Sequence, residues 1–331
     1  MSLTMRSASS RRVIYVAIAS NLAIAACKYV AASVTGSAAM WAEAFHSTAD
    51  SGNELLLLWG IRRSARPPDS LHPFGHGKVL YFYSLLVAVY IFGICGVLAV
   101  RQGVVRFRQP EEFTHAGWNY IVLAAAFALD FYSWRISYKE LLARKDPDES
   151  TWQEIIGSKD PTVFTIFLED SAGMAGTALA FLGIFFAHVL GQPYFDALAS
   201  IFIGILLAGV AALLGRESGA LLVGERTNRS RIRRIRAIIC ADRSVDNVGD
   251  LLTMQLGPDQ VLLNVDIRFN RGLGVQELEL AIDRIEKNIR QSDPTVQRIF
   301  IEVDSLRTAS SRTLPAAGPP ASSNRGEANS N

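Results

Sequence analysis

Glu43, His46, Asp50, Asn53 and Glu54 stand close together in an otherwise apolar stretch. At 100° per residue they fall within an arc of about 100° on one helical face. His46 and Asp50 are one turn apart, so both side chains reach a single ion. A neutral imidazole beside a carboxylate suits a borderline divalent cation. A later apolar stretch carries Glu169 and Asp170. Ionisable groups inside such a stretch are costly and by default mark an ion or substrate pathway. His46, Asp50, Glu169 and Asp170 therefore form a candidate four-residue cation site. The plainer alternative is a hydrogen-bonded cluster that only ties helices together. It would leave two or three acids to be neutralised by protons.

Two further groups join the candidate set. Asp130 lies five residues before Arg135, where it either pairs with that arginine or helps a cation on its way in. Asp69, His72 and His76 are spaced three and four apart within Asp69-Ser-Leu-His72-Pro-Phe-Gly75-His76-Gly77-Lys78. That spacing is compatible with a loop metal site. Pro73, Gly75 and Gly77 equally suit a tight turn that leaves both histidines in water.

The elements that carry these residues are long and apolar. Half of the 331 residues are hydrophobic and only 19% are charged. Six stretches approach the ~20 residues needed to cross a bilayer: 13–34, 37–61, 79–105, 117–138, 161–190 and 194–214. The first follows Arg6, Arg11 and Arg12 and resembles a signal peptide at its start, but its length favours a retained span. Basic residues after the second, fourth and sixth stretches place those connections, and both termini, in the cytoplasm. Arg101, Arg106 and Arg108 oppose that rule at the end of the third stretch, diluted by Glu111 and Glu112. With ~1.5 Å of rise per residue, Asp50 lies roughly 18 Å and Asp170 roughly 15 Å from the cytoplasmic edge, side by side near the midplane.

After the last apolar stretch the pattern becomes that of a small soluble domain. Helices are expected over 229–241 and 275–290 and strands over 250–256, 260–269 and 296–303. Val261, Leu263, Val265, Ile267 and Phe269 alternate strictly, the mark of a half-buried strand. The expected order is αββαβ, a ferredoxin-like layer of sheet with helices on one side. The chain thus divides into an N-terminal 1–12, a six-helix transmembrane domain 13–222, a cytoplasmic domain 223–305, and a tail 306–331 whose Ser, Ala, Pro and Gly content predicts disorder. Cys27, Cys95 and Cys240 are too scattered for a disulfide framework or a cysteine metal site. A net charge of +2 gives no reason to expect nucleic acid as a partner. Arg229–Arg236 has the charge to bind anionic lipid headgroups, but the plainer reading is favoured, a positive-inside anchor and the exposed face of the first cytoplasmic helix.

The stretch Ala42–Asp50, the run His72-Pro-Phe-Gly-His-Gly-Lys78 and Asp196 before an apolar span resemble the cation diffusion facilitator family. Glu169-Asp-Ser-Ala-Gly173 together with Asp130-Phe-Tyr-Ser-Trp134 is most similar to its zinc-transporter-nine-like branch. The resemblance covers about residues 13–304. It implies a homodimeric exporter, not an enzyme, that exchanges a divalent ion for protons. The ion is usually zinc, with manganese, iron(II) or cobalt chemically allowed, and no resident cofactor is implied. Transport-site roles carry over onto His46 and Asp50, and a second, loop site onto Asp69, His72 and His76. The family's His-x-x-x-Asp in the fifth span is broken. If Asp170 takes the Asp position, Ile166 stands where the His should be, with Glu169 one residue before Asp170. The family's cytoplasmic domain often binds zinc through histidines that this chain lacks, so dimerisation without zinc sensing is expected there. A bacterial-type inner membrane is the expected location. An intramembrane metallohydrolase lacks its histidine triad here. A non-transporting membrane scaffold, recruiting a partner through the cytoplasmic domain, stays as the alternative.

Overall fold

The computed structural model describes residues 21–110, 116–144 and 161–303. The expected N-terminal segment 1–12, the start of the first stretch, Glu111, Glu112, Asp160, the last two residues of the expected cytoplasmic domain and the expected tail 306–331 lie outside these residues. The helices are α1 (Asn21–Thr35), α2 (Ala38–Ser64), α3 (Val79–Arg108), α4 (Ala116–Arg144), α5 (Pro161–Leu190) and α6 (Tyr194–Val223). Three of them, α3, α5 from Phe164 and α6, are long and apolar enough to cross a membrane. The described part of α1 is a shorter apolar helix. At 27 and 29 residues, α2 and α4 are just as long, but they carry the polar groups.

Small residues let these helices approach closely, the usual device where apolar area cannot drive association. A Cβ on Gly96 of α3 would lie 3.0 Å from the Gly204 carbonyl of α6, and one on Gly103 would meet the Ala197 carbonyl at 2.7 Å. Midway along α3 the chain widens into a π-helical turn at Val87–Phe92, in the stretch read from sequence as one uninterrupted span. Helix α6 runs on past residue 214 through Gly215, Arg216 and Glu217, and Gly224 ends it with φ 128°.

The start of α2 is closed by another helix. Ser37 caps locally, its Oγ accepting from Met40 N at 3.0 Å. Asp196 of α6 completes the turn: Ser37 Oγ donates to it at 2.6 Å, as do the Ala38 and Ala39 N–H groups. A carboxylate is well placed there, because the first N–H groups of a helix have no partner within it.

Beyond α6 come α7 (Arg229–Cys240), β1 (Val245–Gly257), β2 (Gln260–Phe269), α8 (Val275–Ser292) and β3 (Val296–Val303), the expected αββαβ order. The sheet order is β1-β2-β3, antiparallel then parallel. Val261, Leu263, Val265 and Ile267 are fully buried and cluster with Ile235 and Ile239 of α7 and Ile285 and Ile289 of α8. Strand β1 starts five residues earlier than expected. Asp246, Asn247 and Gly249 disfavour a strand, but the ladder passes them through irregular steps, pairing Val245 with Phe269 and Val248 with Ile267.

Arg284 of α8 fastens this domain to the α7–β1 turn with two bonds to Asp242, 2.7 Å from Nε and 2.8 Å from Nη2. This pairing holds the Asp242 carboxyl down at about 2. A depressed carboxylate contributes stability above its unfolded pKa and loses it as pH falls through the folded value. Acid unfolding of the wild-type domain should therefore be delayed towards pH 2. Asp242→Asn should move the acid midpoint upward, as followed by circular dichroism. An unchanged midpoint would show that the pair contributes nothing.

Candidate cation site

The polar stripe of α2 is divided among three neighbours. Its two ends face α1: Glu43 Oε2 accepts from Lys28 Nζ at 2.9 Å, and Glu54 Oε1 accepts from Asn21 Nδ2 at 2.9 Å. Between them, His46 Nδ1 lies 3.5 Å from Asp50 Oδ1. Asn53 donates to Glu169 Oε2 of α5, and Glu169 also meets the Asp50 carboxyl. Glu43, His46, Asn53 and Glu169 are buried. Among the described residues Asp50 Oδ1 accepts no hydrogen bond. Two carboxyl groups in contact must share a proton or hold a cation, so the His46–Asp50–Glu169 corner can take either.

Asp170 is turned elsewhere. It is one residue, hence about 100°, around α5 from Glu169. Its oxygens accept from Ser133 at 2.9 Å and Ser137 at 2.7 Å, both on α4. Ile166, the position of the missing family histidine, is 37% exposed. Glu169 rather than residue 166 therefore meets Asn53 and Asp50. Asp130 is not paired with Arg135 among the described residues: Arg135 is exposed, and Asp130 Oδ2 accepts from Thr177 Oγ1 of α5 at 3.3 Å. A Cβ on Gly173 would lie 3.0 Å from His46 Nε2 and 3.5 Å from Asp130 Oδ2. The bare backbone at Gly173 thus lets His46 and Asp130 approach each other across α5.

In the loop, the turn and the ligand geometry are the same object. Asp69 Oδ1 accepts from the N–H groups of Leu71 at 3.0 Å and His72 at 2.6 Å. His72 Nδ1 lies 3.1 Å from it, and His76 Nε2 lies 3.4 Å from Asp69 Oδ2. Gly75, with φ 89°, permits the reversal that brings the two imidazoles, mutually tilted, to 4.3 Å between ring centres. These donors, the His72 N–H above all, hold the Asp69 carboxyl below the usual carboxylate range. Its charge therefore persists at neutral pH. The three ligand groups converge within 4.8 Å, the one such trio among the described residues. The loop also abuts the sheet domain, with Phe74 edge-on to Phe300 and Gly77 against the Leu256 carbonyl. A cavity of about 320 Å³ lies between them.

Sequence reasoning passed over Lys28, which is buried and ion-paired deep within α1. The signal was there, a single lysine in an apolar run. Thr177 and the two serines of α4 gave no such signal, since hydroxyls are common in membrane helices.

Comparison with known proteins follows the same division of the chain. Residues 14–223 match the cation efflux transmembrane domain, and residues 228–306 match the cation efflux protein cytoplasmic domain. The chain is 26% identical over 330 residues to the proton-coupled zinc antiporter SLC30A9, mitochondrial, of Xenopus laevis, covering 88% of this chain and 59% of that protein. It is 25% identical to the manganese efflux system protein MneP of Bacillus subtilis, covering 89% and 96%. It is 28% identical to the magnetosome protein MamM of Paramagnetospirillum magneticum, covering 64% and 63%. The chain therefore spans less than two thirds of the zinc antiporter's length. A transmembrane-domain match over more than half of the residues, with apolar helices to carry it, makes this a multi-pass membrane protein that belongs to the cation efflux family.

Proposed function

We propose that the chain carries a divalent metal cation out of the cytoplasm in exchange for protons, as a homodimer with six spans and both termini cytoplasmic. The observation that carries this reading is His46 Nδ1 at 3.5 Å from Asp50 Oδ1, with buried Glu169 of α5 held by Asn53 one turn further along α2. In the proposed cycle these residues take up the ion from one side of the membrane. Protons compete for the same carboxylates and imidazole on the other side and expel it. Binding and proton release are coupled because only the deprotonated groups ligate. Asp170 and Asp130 stand next to this core and adjust its charge, each already holding a hydroxyl. Alternating access would rock helices against one another around the site. Asp69, His72 and His76 form a second, loop site where cations first collect. The 228–306 match supports pairing of two copies through the sheet domain.

Zinc is the proposed cargo, on the mixed imidazole and carboxylate chemistry and on the zinc antiporter relative. Manganese is the second choice, on the name of the Bacillus relative. Reconstituted in liposomes, the protein should release or take up protons when zinc is added on one side. Manganese, iron(II) and cobalt are compared in parallel, with protein-free liposomes as the baseline. Flux for none of the four, with folded dimeric protein present, would overturn the transport reading and favour a scaffold.

A further inference from the structure

Lys28 is the most deeply buried cation described, with its side chain 1% exposed and its partner Glu43 at 0%. Its ammonium does not end in a private ion pair. Glu43 Oε2 also accepts from Thr177 Oγ1 at 3.0 Å, and the same hydroxyl lies 3.3 Å from Asp130 Oδ2. A hydroxyl has one proton, which Thr177 shares between two carboxylates. Lys28 bonds Glu43 directly and acts on Asp130 by its charge, across the hydroxyl that bridges the two acids. Four elements, α1, α2, α4 and α5, meet at this point.

The other oxygen of the pair sharpens the argument. Glu43 Oε1 is buried and accepts no hydrogen bond among the described residues. It lies against the bare backbone of Gly176, where a Cβ would approach to 2.5 Å. One turn earlier on α5, the bare backbone of Gly173 lies between Asp130 and His46 and lets both approach. Glu43 and Asp130 are thus two acids adjoining the His46–Asp50–Glu169 corner, with Glu43 Oε1 left without a hydrogen bond among the described residues. They would make a second carboxylate pair for a cation if the ammonium were not there.

We propose that Lys28 is a tethered counter-cation that occupies this second position and confines the cargo to His46, Asp50 and Glu169. The inference rests on the cation-transport reading above. Lys28 is a positioning residue: it touches neither the ion nor its ligands, and it acts by holding Glu43 and by offsetting the charge of nearby Asp130. Its positive charge does what a second divalent ion would otherwise do, so each protomer loads one ion at the membrane site. Removing Glu43 has the opposite consequence. The released ammonium turns toward Asp130 and, beyond it, competes with the cargo for the field of Asp50.

The test is calorimetric titration of zinc, and separately of manganese, into the purified full-length dimer in lipid nanodiscs. In the wild type one binding event per protomer should disappear in Asp50→Ala. Lys28→Met should add a further event, which Lys28→Met/Glu43→Gln removes and Lys28→Arg never shows. Glu43→Gln alone should weaken the Asp50-dependent event by about tenfold, and the double variant should restore it. A purely structural lysine would lower thermal stability in Lys28→Met without changing the number of ions bound, and that result overturns the proposal. If Lys28→Met does not fold, Glu43→Gln and the double variant decide. Unweakened binding in Glu43→Gln is then the overturning result. Absence of any Asp50-dependent event in the wild type would instead sink the transport-site reading itself.

Discussion

Asp50→Ala should abolish metal-driven proton exchange while leaving the helices intact. Asp50 is the residue through which His46 and Glu169 are brought to one place: its Oδ1 faces the imidazole at 3.5 Å and its carboxyl meets that of Glu169. Deleting it removes a negative charge and one metal ligand together. It also leaves the buried Glu169 without its neighbouring ligand, held only by Asn53 among the described hydrogen bonds. Breaking a buried charge pair costs roughly 3–5 kcal/mol, which corresponds to more than a hundredfold in the dissociation constant of the ion. Proton flux in liposomes and zinc titration should therefore both fall below detection, with the far-ultraviolet circular dichroism unchanged. Asp50→Asn should be almost as severe, because it keeps the shape and loses the charge. Flux within a factor of three of wild type in either variant would move the cargo site away from α2.

Gly173→Val should reduce cation affinity at least tenfold without adding or removing any charge. A first carbon on residue 173 already falls 3.0 Å from His46 Nε2 and 3.5 Å from Asp130 Oδ2. The valine methyl groups would fill the space between them. Overpacking a close site costs typically ~1–3 kcal/mol, and ~1.4 kcal/mol is a tenfold change in binding. Gly173→Ala should show a partial loss, since His46 need shift by only a few tenths of an ångström. Gly209→Ala, where a Cβ meets nothing within 4 Å, provides the control for a glycine lost from a membrane helix. Equal zinc affinity in Gly173→Val and Gly209→Ala would mean that the space beside His46 is not used by the ion.

The parts of this molecule that were legible in the sequence are those governed by short-range periodicity. Strand β2 could be drawn to the residue because alternate side chains must face opposite sides of a sheet. The polar stripe on α2 was visible because five groups fit one helical face. Which neighbour each group chose was not visible. Glu43 turns to Lys28 and Glu54 to Asn21, and those pairings depend on how α1 leans on α2, which no local pattern records. Glu169 and Asp170 are adjacent in sequence, yet one faces α2 and the other α4, because a single residue turns a helix by about 100°. The loop histidines were ambiguous for a related reason. Spacing allows either solvated or converging rings, and the left-handed backbone at Gly75 selects convergence.

The closure of α2 by Asp196 also bears on how the chain is made. The Ala38 N–H and its acceptor are separated by 158 residues. At synthesis rates of about 5–20 residues per second, the ribosome needs on the order of 8–30 s to cover that distance. During this interval the leading turn of α2 has its local Ser37 cap but lacks the carboxylate that serves Ala38 and Ala39. The helix carrying His46 and Asp50 thus gains its last backbone acceptors only after α6 has begun to emerge. The nascent protein should consequently pass through a stage in which that end of α2 exchanges its amide hydrogens freely. Assembly of the finished site waits on a residue near the start of α6.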